Sequence, residues 1–579
     1  MILSQEKKKL LASVSHVLAL GGPGSGKTTI ALLKAQKELG ASKLLPGQSI
    51  LFLSFARATV ARVIEQISKL RIDDVNGALA VETYHGFAWR ILKSHGYLLQ
   101  PARPIRLLAP PQAAAKLADI PRNERRVELQ RLFSQEGLLH FDLFAPLTAE
   151  LFRRCATLAK VYSNAFPIVI LDEFQDTNAS EWEIVKQLGK TSQLIALADA
   201  DQRIYEFRGA DPRRLEQFTK EFKPTLCDFS EENHRSNGTD ITVFGNELLT
   251  GACKGKQYNN VKVVLYPFVR DINDFVFLKF SLLSAIERTK KSTSNWSIAV
   301  LVPSRRMMLD ASGFLSGGQT IQLKQGKRVM PPIEHDVAID AEGPTLAAAV
   351  IAQLLSLGVA VPNNLPALVA NVIEYLRGRR GDDGPTQADK KLAEGLQQFL
   401  NSGKTIGSTR GVLVEECRKI GANLQHYSFT GDPEADWTWI RDQLEKCTCP
   451  TLRDIADHSR YVRLLHKGAI LRARLSDLWR TNGSYSGAVD VVSSALLQEH
   501  FLASTRRQLG VYVMTMHKAK GKEFDEVVIF EGRFNGKFIP AQDPKKVADS
   551  ARLMRMAVTR ARTHSTILSP KADTCPLLG

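Results

Sequence analysis

The sequence predicts an α/β protein built from two parallel-sheet cores, each interrupted by a mainly helical insertion. Short apolar runs alternate with amphipathic helical patterns near the start of the chain, and the same alternation returns twice further along. Strands that alternate with helices are typical of parallel sheets. A chain of 579 residues is also too long for one compact hydrophobic core, so several domains are expected.

The predicted strands and helices follow from these patterns. Lys27–Leu39 and Val60–Leu70 have the periodicity of amphipathic helices. The apolar runs predicted as strands are Val17–Leu20, Ile50–Phe55, Ile168–Leu171, Leu194–Leu197, Ser297–Val302, Val511–Met514 and Val527–Phe530.

Interruptions of the pattern divide the chain into four predicted domains. The first core comprises residues 1–96 and 161–236, and its small helical insertion comprises residues 97–160. The second core comprises residues 237–330 and 506–579, and residues 331–505 form its helical insertion.

Composition restricts the class of protein. Lys and Arg number 77 against 60 Asp and Glu, a net charge of +17 that favours a polyanionic partner such as nucleic acid or an acidic membrane. No run of 18 apolar residues exists, so no transmembrane helix is expected. The basic start at Lys7–Lys9 is interpreted as the end of a helix before a strand, and not as a signal peptide. Seven scattered cysteines without a CxxC pair indicate reduced thiols in the cytoplasm.

A glycine-rich loop follows the first predicted strand. It matches G-x-x-x-x-G-K-[ST] in full and opens a predicted helix, as a phosphate-binding loop does. Lys27 is predicted to reach the β- and γ-phosphates, and the Thr28 hydroxyl to bind Mg²⁺. The residues of the loop are Gly21, Gly22, Pro23, Gly24, Ser25, Gly26, Lys27 and Thr28. Taken alone, the loop indicates only a nucleoside triphosphatase.

Two carboxylates stand at the end of the apolar run Ile168–Leu171, where sites form in α/β proteins. Asp172 is predicted to hold Mg²⁺, and Glu173 to orient and deprotonate the attacking water. The alternative is an acidic strand end that faces solvent, and the P-loop in the same chain argues against it.

The segment Asp172-Glu-Phe-Gln-Asp-Thr-Asn178 resembles motif II of the UvrD/Rep/PcrA-like helicases of superfamily 1A. Other segments resemble further motifs of that family in the same order: Leu3–Gln5, Phe52–Arg57, Thr83–Phe87, Asp199–Ala210, Glu232–Ser236, Val513–Phe524 and Met556–Arg562. The resemblance implies two RecA-like P-loop domains, 1A and 2A, with insertions 1B and 2B.

The resemblance also implies the remaining nucleotide contacts. Gln5 matches the residue that reads adenine, and Gln202 matches the γ-phosphate sensor. Arg235 and Arg560 match two arginine fingers, whose guanidinium groups neutralise charge on the transferring phosphoryl group. Because these arginines come from distant parts of the chain, ATP is expected between the two cores. Glu523 matches a carboxylate that contacts the nucleotide sugar.

Three positions depart from the family pattern. His234 replaces a tyrosine that stacks on adenine, and Thr29 replaces an arginine that covers the other adenine face. Both changes put tight selectivity for adenine in doubt. Lys522 replaces an apolar residue, and one hypothesis is an added phosphate contact.

The DNA contacts are likewise implied by the family motifs. The aromatic residues predicted to stack on bases are Phe55, Phe87, Tyr205 and Phe207. The residues predicted to contact phosphates or to connect the DNA to the nucleotide site are Arg57, His85, Arg208, His517 and Lys518. Phe55 and Tyr205 could instead be core residues.

These observations predict an ATP- and Mg²⁺-dependent translocase and helicase on single-stranded DNA and single-strand/duplex junctions. The 3′→5′ direction is implied by the family alone, as is a protein partner at insertion 2B. The alternative is a DNA-stimulated ATPase subunit of a repair complex or of an anti-phage complex of the Gabija type, with weak or no unwinding. The small first insertion suggests it. A scaffold with a dead ATP site is disfavoured because the catalytic set is complete.

Overall fold

A computed structural model describes most of the chain. The described residues are 4–41, 44–55, 57–69, 78–199, 211–229, 238–270, 272–323, 326–337, 342–358, 364–381, 384–404, 407–459, 469–502, 509–539 and 544–578.

The first core surrounds a parallel sheet and encloses the first insertion. Its elements up to the insertion are α1 (Gln5–Ala12), β1 (Val17–Leu20), α2 (Lys27–Gly40), β2 (Ile50–Ser54), α3 (Arg57–Lys69), β3 (Leu79–Thr83) and α4 (Tyr84–His95). The insertion and the return to the core comprise β4 (Arg106–Leu107), α5 (Pro110–Lys116), α6 (Arg125–Glu136), β5 (Leu138–Leu139), α7 (Phe144–Arg154), α8 (Ala156–Ala165), β6 (Ile168–Leu171), α9 (Ala179–Leu188), β7 (Gln193–Ala198), α10 (Arg214–Phe222) and β8 (Thr225–Asp228).

The first sheet has the strand order β3-β2-β6-β7-β1-β8, and every pairing in it is parallel. Its inner strands are apolar along their length and buried on both faces, as expected where helices cover a parallel sheet. Parallel pairing brings the carboxyl ends of β1, β6 and β7 to one edge. The P-loop, Asp172 and Asp199 follow these three ends directly, so the topology itself gathers them.

The second core repeats this architecture. Its first elements are α11 (Ile241–Thr250), β9 (Val261–Tyr266), α12 (Phe275–Ser292), β10 (Ser297–Val302), α13 (Arg305–Ser316), β11 (Gln319–Leu323), β12 (Gly326–Met330) and β13 (His335–Val337). Beyond these, the helices of the second insertion are α14 (Glu342–Leu357), α15 (Leu365–Gly378), α16 (Gln387–Ser402), α17 (Ser408–Gln425), α18 (Pro433–Glu445), α19 (Pro450–Ser459), α20 (Ala469–Asn482) and α21 (Ala488–Leu502). The core then ends with β14 (Gly510–Thr515), β15 (Phe524–Phe530), α22 (Pro544–Val558) and β16 (Ala561–Pro570).

The second sheet is also parallel throughout, in the order β13-β14-β10-β15-β16-β9. The predicted strands Val17–Leu20, Ile168–Leu171 and Ser297–Val302 have the observed bounds of β1, β6 and β10, and the other predicted strands and helices lie within a few residues of observed elements. The predicted fold class, α/β with two parallel-sheet cores, is therefore confirmed.

Contacts divide the chain into two compact units. One comprises residues 1–90, 145–339 and 504–579 and holds both sheets; the other comprises residues 91–144 and 340–503. Within the second of these units, α5 of the first insertion packs against α14 and α15 of the second insertion. The four predicted domain boundaries stay a prediction, and β13 belongs to the second sheet although it lies past residue 330.

The segment Gly431–Trp437 has a structural explanation in the second unit. Asp432 caps the amino end of α18, where its side chain accepts from the Glu434 amide at 3.1 Å. Asp436 is fully buried and satisfied by five donors. These are the Tyr485 hydroxyl at 2.7 Å, the Tyr427 hydroxyl at 2.9 Å, the Thr430 amide and hydroxyl, and the Gly431 amide.

In the part of the chain that the structure describes, every helix is too short or too polar to cross a membrane.

Candidate nucleotide site and nucleic-acid contacts

The P-loop connects β1 to α2. Gly26 has a φ of 85°, in the left-handed region that favours glycine, and it directly precedes α2. The Lys27 ammonium donates to the carbonyl oxygens of Gly21 and Gly22, at 3.0 Å in the second case. The amino end of α2 adds partial positive charge at the same place. The loop therefore has the backbone shape and the charge that suit a phosphate group.

Asp172 continues the line of β6 and is 6% exposed. Its amide donates to the Leu53 carbonyl at 2.8 Å, and its Oδ2 accepts from the Ser54 hydroxyl at 3.0 Å. Thr28 lines the same cleft as Asp172. Mg²⁺ prefers oxygen ligands and commonly takes one or two from protein and the rest from phosphates and water. The hydroxyl and the carboxylate present here fit that ion.

Glu173 has a φ of 52°, in a backbone region that residues with side chains rarely adopt. The residues that do adopt it are frequently found at functional sites. Its Oε2 accepts from the side-chain amide of Gln175 at 2.6 Å. The Gln175 Oε1 accepts from the Asp199 amide at 3.1 Å. Gln175 is fully buried, so one amide side chain fixes the carboxylate of Glu173 and the end of β7 together.

Several cations surround Glu173. Burial alone would raise the pKa of Glu173, but Lys520, Lys27 and Arg560 together hold that pKa below its usual range. The Lys520 Nζ lies 3.9 Å from Glu173 Oε2, and it contacts Asp176 directly. Burial raises the pKa of Asp176 to about 7, with Glu173 and Asp199 adding to the rise and Lys520 opposing it. Lys520 thus keeps Glu173 in the ionised form that can accept a proton.

The second core contributes its own groups. Arg560 precedes β16, is 2% exposed, and donates from Nε to the Met556 carbonyl at 3.1 Å. Glu523 precedes β15 and lies 3.5 Å from the guanidinium of Arg562. Their positions at the amino ends of neighbouring strands bring these side chains to one edge of the second sheet.

Both cores line one cleft, here called the P-loop cleft. Its lining residues are Gly22, Pro23, Gly24, Ser25, Gly26, Lys27, Thr28, Thr29, Gln66, Asp172, Glu173, Leu197, Asp199, Glu523, Arg560 and Arg562. Glycines and a lysine from one core thus face an arginine from the other.

Sequence profiles of known families match both cores. The profile of the UvrD/REP helicase N-terminal domain matches residues 3–126 and 112–223, and that of the UvrD-like helicase C-terminal domain matches residues 473–570. Together the matches cover more than half of the chain. The chain belongs to the UvrD/Rep helicase family.

Curated relatives extend this similarity along the chain. The ATP-dependent DNA helicase PcrA of Staphylococcus aureus strain Mu50 is 22% identical to this chain. The alignment covers 97% of this chain and 83% of that protein. PcrA of Staphylococcus epidermidis strain ATCC 35984 is 21% identical, with 96% and 82% covered. The Pif1 helicase structure from Candida albicans aligns over 55% of this chain and 56% of its own, with 14% identity and a TM-score of 0.29.

Part of the predicted site of this UvrD/Rep-family chain lies outside the cleft lining or outside the described residues. Gln5 is exposed at the start of α1 and does not line the P-loop cleft. The predicted residues outside the described part are Gln202, Tyr205, Phe207, Arg208, His234 and Arg235. Their roles stay predictions.

The two described aromatic residues of the predicted DNA path differ. Phe55 is half-buried and stacks on Tyr84, with ring centroids 4.6 Å apart. Phe87 is 1% exposed and packs edge-on against Tyr162 and Phe166. The Phe87 ring is therefore a core residue in this structure and is not available to stack on a base. A short aromatic motif cannot tell which face of a helix its ring occupies.

The polar residues of the predicted DNA path lie at element ends. His85 is half-buried at the start of α4, and Arg57 begins α3. His517 is exposed and Lys518 half-buried in the 3₁₀ turn Met516–Ala519. Their DNA roles stay predictions.

Lys522 is half-buried in the turn before β15. Its Nζ lies 3.9 Å from the Met514 sulfur. Burial, together with the nearby Lys518 ammonium, lowers the pKa of Lys522 to about 8. The hypothesis of an added phosphate contact stays a prediction.

Sequence reasoning missed three residues that organise the site: Gln175, Asp176 and Lys520. Gln175 and Asp176 lie in the segment Asp172–Asn178 and Lys520 lies in Val513–Phe524, and both segments resemble family motifs, so this resemblance was an available signal.

Proposed function

We propose that this UvrD/Rep-family protein is an ATP-dependent translocase on single-stranded DNA that moves 3′→5′ and separates duplexes at single-strand/duplex junctions. The observation that carries the proposal is the P-loop cleft, where the first core supplies Lys27, Asp172 and Glu173 and the second supplies Glu523 and Arg560. The similarity to the ATP-dependent DNA helicase PcrA over nearly the whole chain supports a helicase activity. The 3′→5′ direction rests on the resemblance of the motifs to the family alone.

The described residues support a division of labour in ATP hydrolysis. In this proposal the P-loop amides and Lys27 hold the phosphates, and Glu173 accepts a proton from the attacking water. Its depressed pKa keeps it ionised at neutral pH. Arg560 and Arg235 neutralise charge that develops on the transferring phosphoryl group. Gln202 acts as the γ-phosphate sensor.

Thr28 and Asp172 would hold Mg²⁺. The ion would neutralise charge on the phosphate oxygens and orient them for in-line attack. Ser54 fixes the orientation of the Asp172 carboxylate through its hydrogen bond.

Movement requires that hydrolysis change the contact between the cores. Because groups from both cores line the P-loop cleft, ATP that binds there favours their closure, and product release allows them to open. The proposed DNA contacts at Phe55, His517 and Lys518 belong to both cores, and such a cycle would shift them along the strand. Stacking on bases is insensitive to sequence, which suits a translocase.

A DNA-stimulated ATPase with weak or no unwinding, acting as a subunit of a repair or defence complex, is the second candidate. The observation that favours it is the small first insertion, in which two α-helices, α5 and α6, lie between α4 and α7. A protein partner at the second insertion and a cytoplasmic location belong to both proposals.

One experiment separates the candidates. ATP hydrolysis is measured with and without single-stranded DNA, followed by strand separation on duplexes with 3′ or 5′ tails, with Lys27→Ala as the inactive control. The proposal expects DNA-stimulated hydrolysis and separation of the 3′-tailed duplex. Hydrolysis without separation on either tail favours the second candidate. Hydrolysis that survives Lys27→Ala undiminished contradicts both.

A further inference from the structure

Arg555 lies at the junction of the two cores but has no assigned role. It stands on α22 and is 2% exposed, and it does not line the P-loop cleft. A guanidinium buried this deeply needs partners for its fixed set of donors. Its partners come from both cores.

The second core holds the stem and one side of the guanidinium. Nε donates to the side-chain oxygen of Asn246 on α11 at 3.0 Å. Gly245, also on α11, lies beside the arginine stem, since a Cβ at that position would be 3.4 Å from Cγ of Arg555, an ordinary van der Waals distance. The stem is therefore packed between α11 and α22.

The other side of the guanidinium faces the first core. Nη1 lies 3.6 Å from Oδ1 of Asp199, which is itself 5% exposed. Nη2 would lie 3.9 Å from a Cβ on Gly22, so it is adjacent to the P-loop backbone. Asp199 and Gly22 both line the P-loop cleft. One side chain of the second core therefore lies next to two residues that line the cleft.

Asp199 also marks a functional boundary in the sequence. It follows β7 and directly precedes the segment 200–210, which carries the predicted γ-phosphate sensor and the predicted base-stacking aromatics. A change in the separation of the cores would move Arg555 with α22 and α11, and the ion pair would carry that movement to Asp199 at the end of β7.

We propose that Arg555 is a positioning residue that couples nucleotide binding in the P-loop cleft to DNA binding through Asp199. The inference rests on the proposed function, since it presupposes that the cleft binds ATP and that the chain binds single-stranded DNA. Arg555 acts through Asp199 and Gly22 and does not touch the nucleotide.

The test measures the affinity of a fluorescent, non-hydrolysable ATP analogue with and without a thymidine oligonucleotide. In the wild-type protein we expect the oligonucleotide to change this affinity by about tenfold, within the range usual for coupled sites. Arg555→Met should bring the ratio close to one while the analogue still binds without DNA. Asp199→Asn should also bring the ratio close to one, whatever it does to the affinity measured without DNA, because Asp199 lines the cleft. Arg555→Lys should retain part of the coupling, because lysine keeps the charge but cannot contact Asn246 and Asp199 as a fork.

The matched control is Arg552→Met, one turn earlier on the same helix, where the arginine pairs with Asp549 at 2.8 Å. It should leave the ratio unchanged. The double variant Arg555→Met/Asp199→Asn should be no worse than either single variant if the two residues act through one another. Thermal unfolding of each variant separates loss of coupling from loss of the fold.

Two results overturn the inference: coupling that persists in Arg555→Met and Asp199→Asn, or a wild-type protein whose analogue affinity does not respond to DNA. Failure of the proposed function is distinguishable. A wild-type protein that couples the analogue to DNA, loses this in Arg555→Met, but neither hydrolyses ATP nor moves on DNA would retain the inference and refute the motor.

Discussion

Lys520 of the second core contacts Asp176 of the first core, and both side chains are buried. The same ammonium lies 3.9 Å from Glu173, the proposed base for water activation. Removal of one partner from a buried ion pair leaves the other charge uncompensated, which typically costs about 3–5 kcal/mol. The ionisation of Glu173 therefore depends on the contact between the two cores that brings Lys520 next to it.

Lys520→Met should move the acid limb of ATP hydrolysis to higher pH. Lys520 is the strongest of the cations that hold the pKa of Glu173 down, so without it burial raises that pKa. A base works only when it is deprotonated, and activity is lost as pH falls through its pKa. A higher pKa therefore moves the loss towards neutrality.

The measurement is kcat as a function of pH on protein shown to be folded at each pH. Lys571→Met removes an exposed lysine and should leave the acid limb in place. An unshifted limb in Lys520→Met would show that Lys520 does not set the charge of Glu173.

Lys522→Met should stabilise the protein at neutral pH. Burial lowers the pKa of Lys522 to about 8, so the charged form is disfavoured in the folded state. The penalty is present below pH 8 and disappears as pH rises towards the unfolded value of about 10.4. At about 1.4 kcal/mol per pKa unit, the gain at pH 7 is on the order of 1–3 kcal/mol.

Urea unfolding at pH 7 and pH 10 tests this, with exposed Lys262→Met as the matched control. The gain should shrink at pH 10. A loss of stability at pH 7 would mean that the ammonium has favourable partners in the fold.

Phe55→Ala should mainly weaken DNA binding, whereas Phe87→Ala should mainly lower folding stability. Phe55 is half-buried, and loss of one stacked base typically costs roughly 1–3 kcal/mol of affinity for single-stranded DNA. Phe87 is a core residue, and truncation of a buried phenylalanine typically costs about 3–5 kcal/mol of folding stability. Fluorescence anisotropy with a labelled oligonucleotide and thermal unfolding measure the two effects. Weaker DNA binding by folded Phe87→Ala with unchanged stability would restore the sequence-based prediction for Phe87.

Asp436→Ala should destabilise the unit that holds the helical insertions. The variant leaves the buried Tyr485 hydroxyl, the half-buried Tyr427 hydroxyl, the Thr430 hydroxyl and two backbone amides without their acceptor, so a loss of about 3–5 kcal/mol is expected. Asp432→Ala removes the cap of α18 and an exposed ion pair with Arg472, and it should cost about 1 kcal/mol. Calorimetry on the full chain compares them, and equal effects would contradict the central position of Asp436.

The sequence predicted those features that depend on local pattern. The P-loop, the strand that ends at Asp172 and the strand Ser297–Val302 were all recognisable from apolar runs and glycine spacing. The contacts of Lys520 with Asp176 and of Arg555 with Asp199 were not, because each joins segments more than 300 residues apart and neither has a periodic signal. The burial of Phe87 could not be predicted either, because its ring packs against Tyr162 and Phe166, which are distant in sequence.

The central claim is that ATP bound between the two cores drives directional movement along single-stranded DNA. Displacement of streptavidin from oligonucleotides biotinylated at either end tests it most directly, because it reports movement whether or not the protein unwinds duplexes. The account predicts ATP-dependent displacement from the 5′ end and none by Glu173→Gln, which should still bind ATP. Displacement from the 3′ end, or equal displacement by Glu173→Gln, would contradict it.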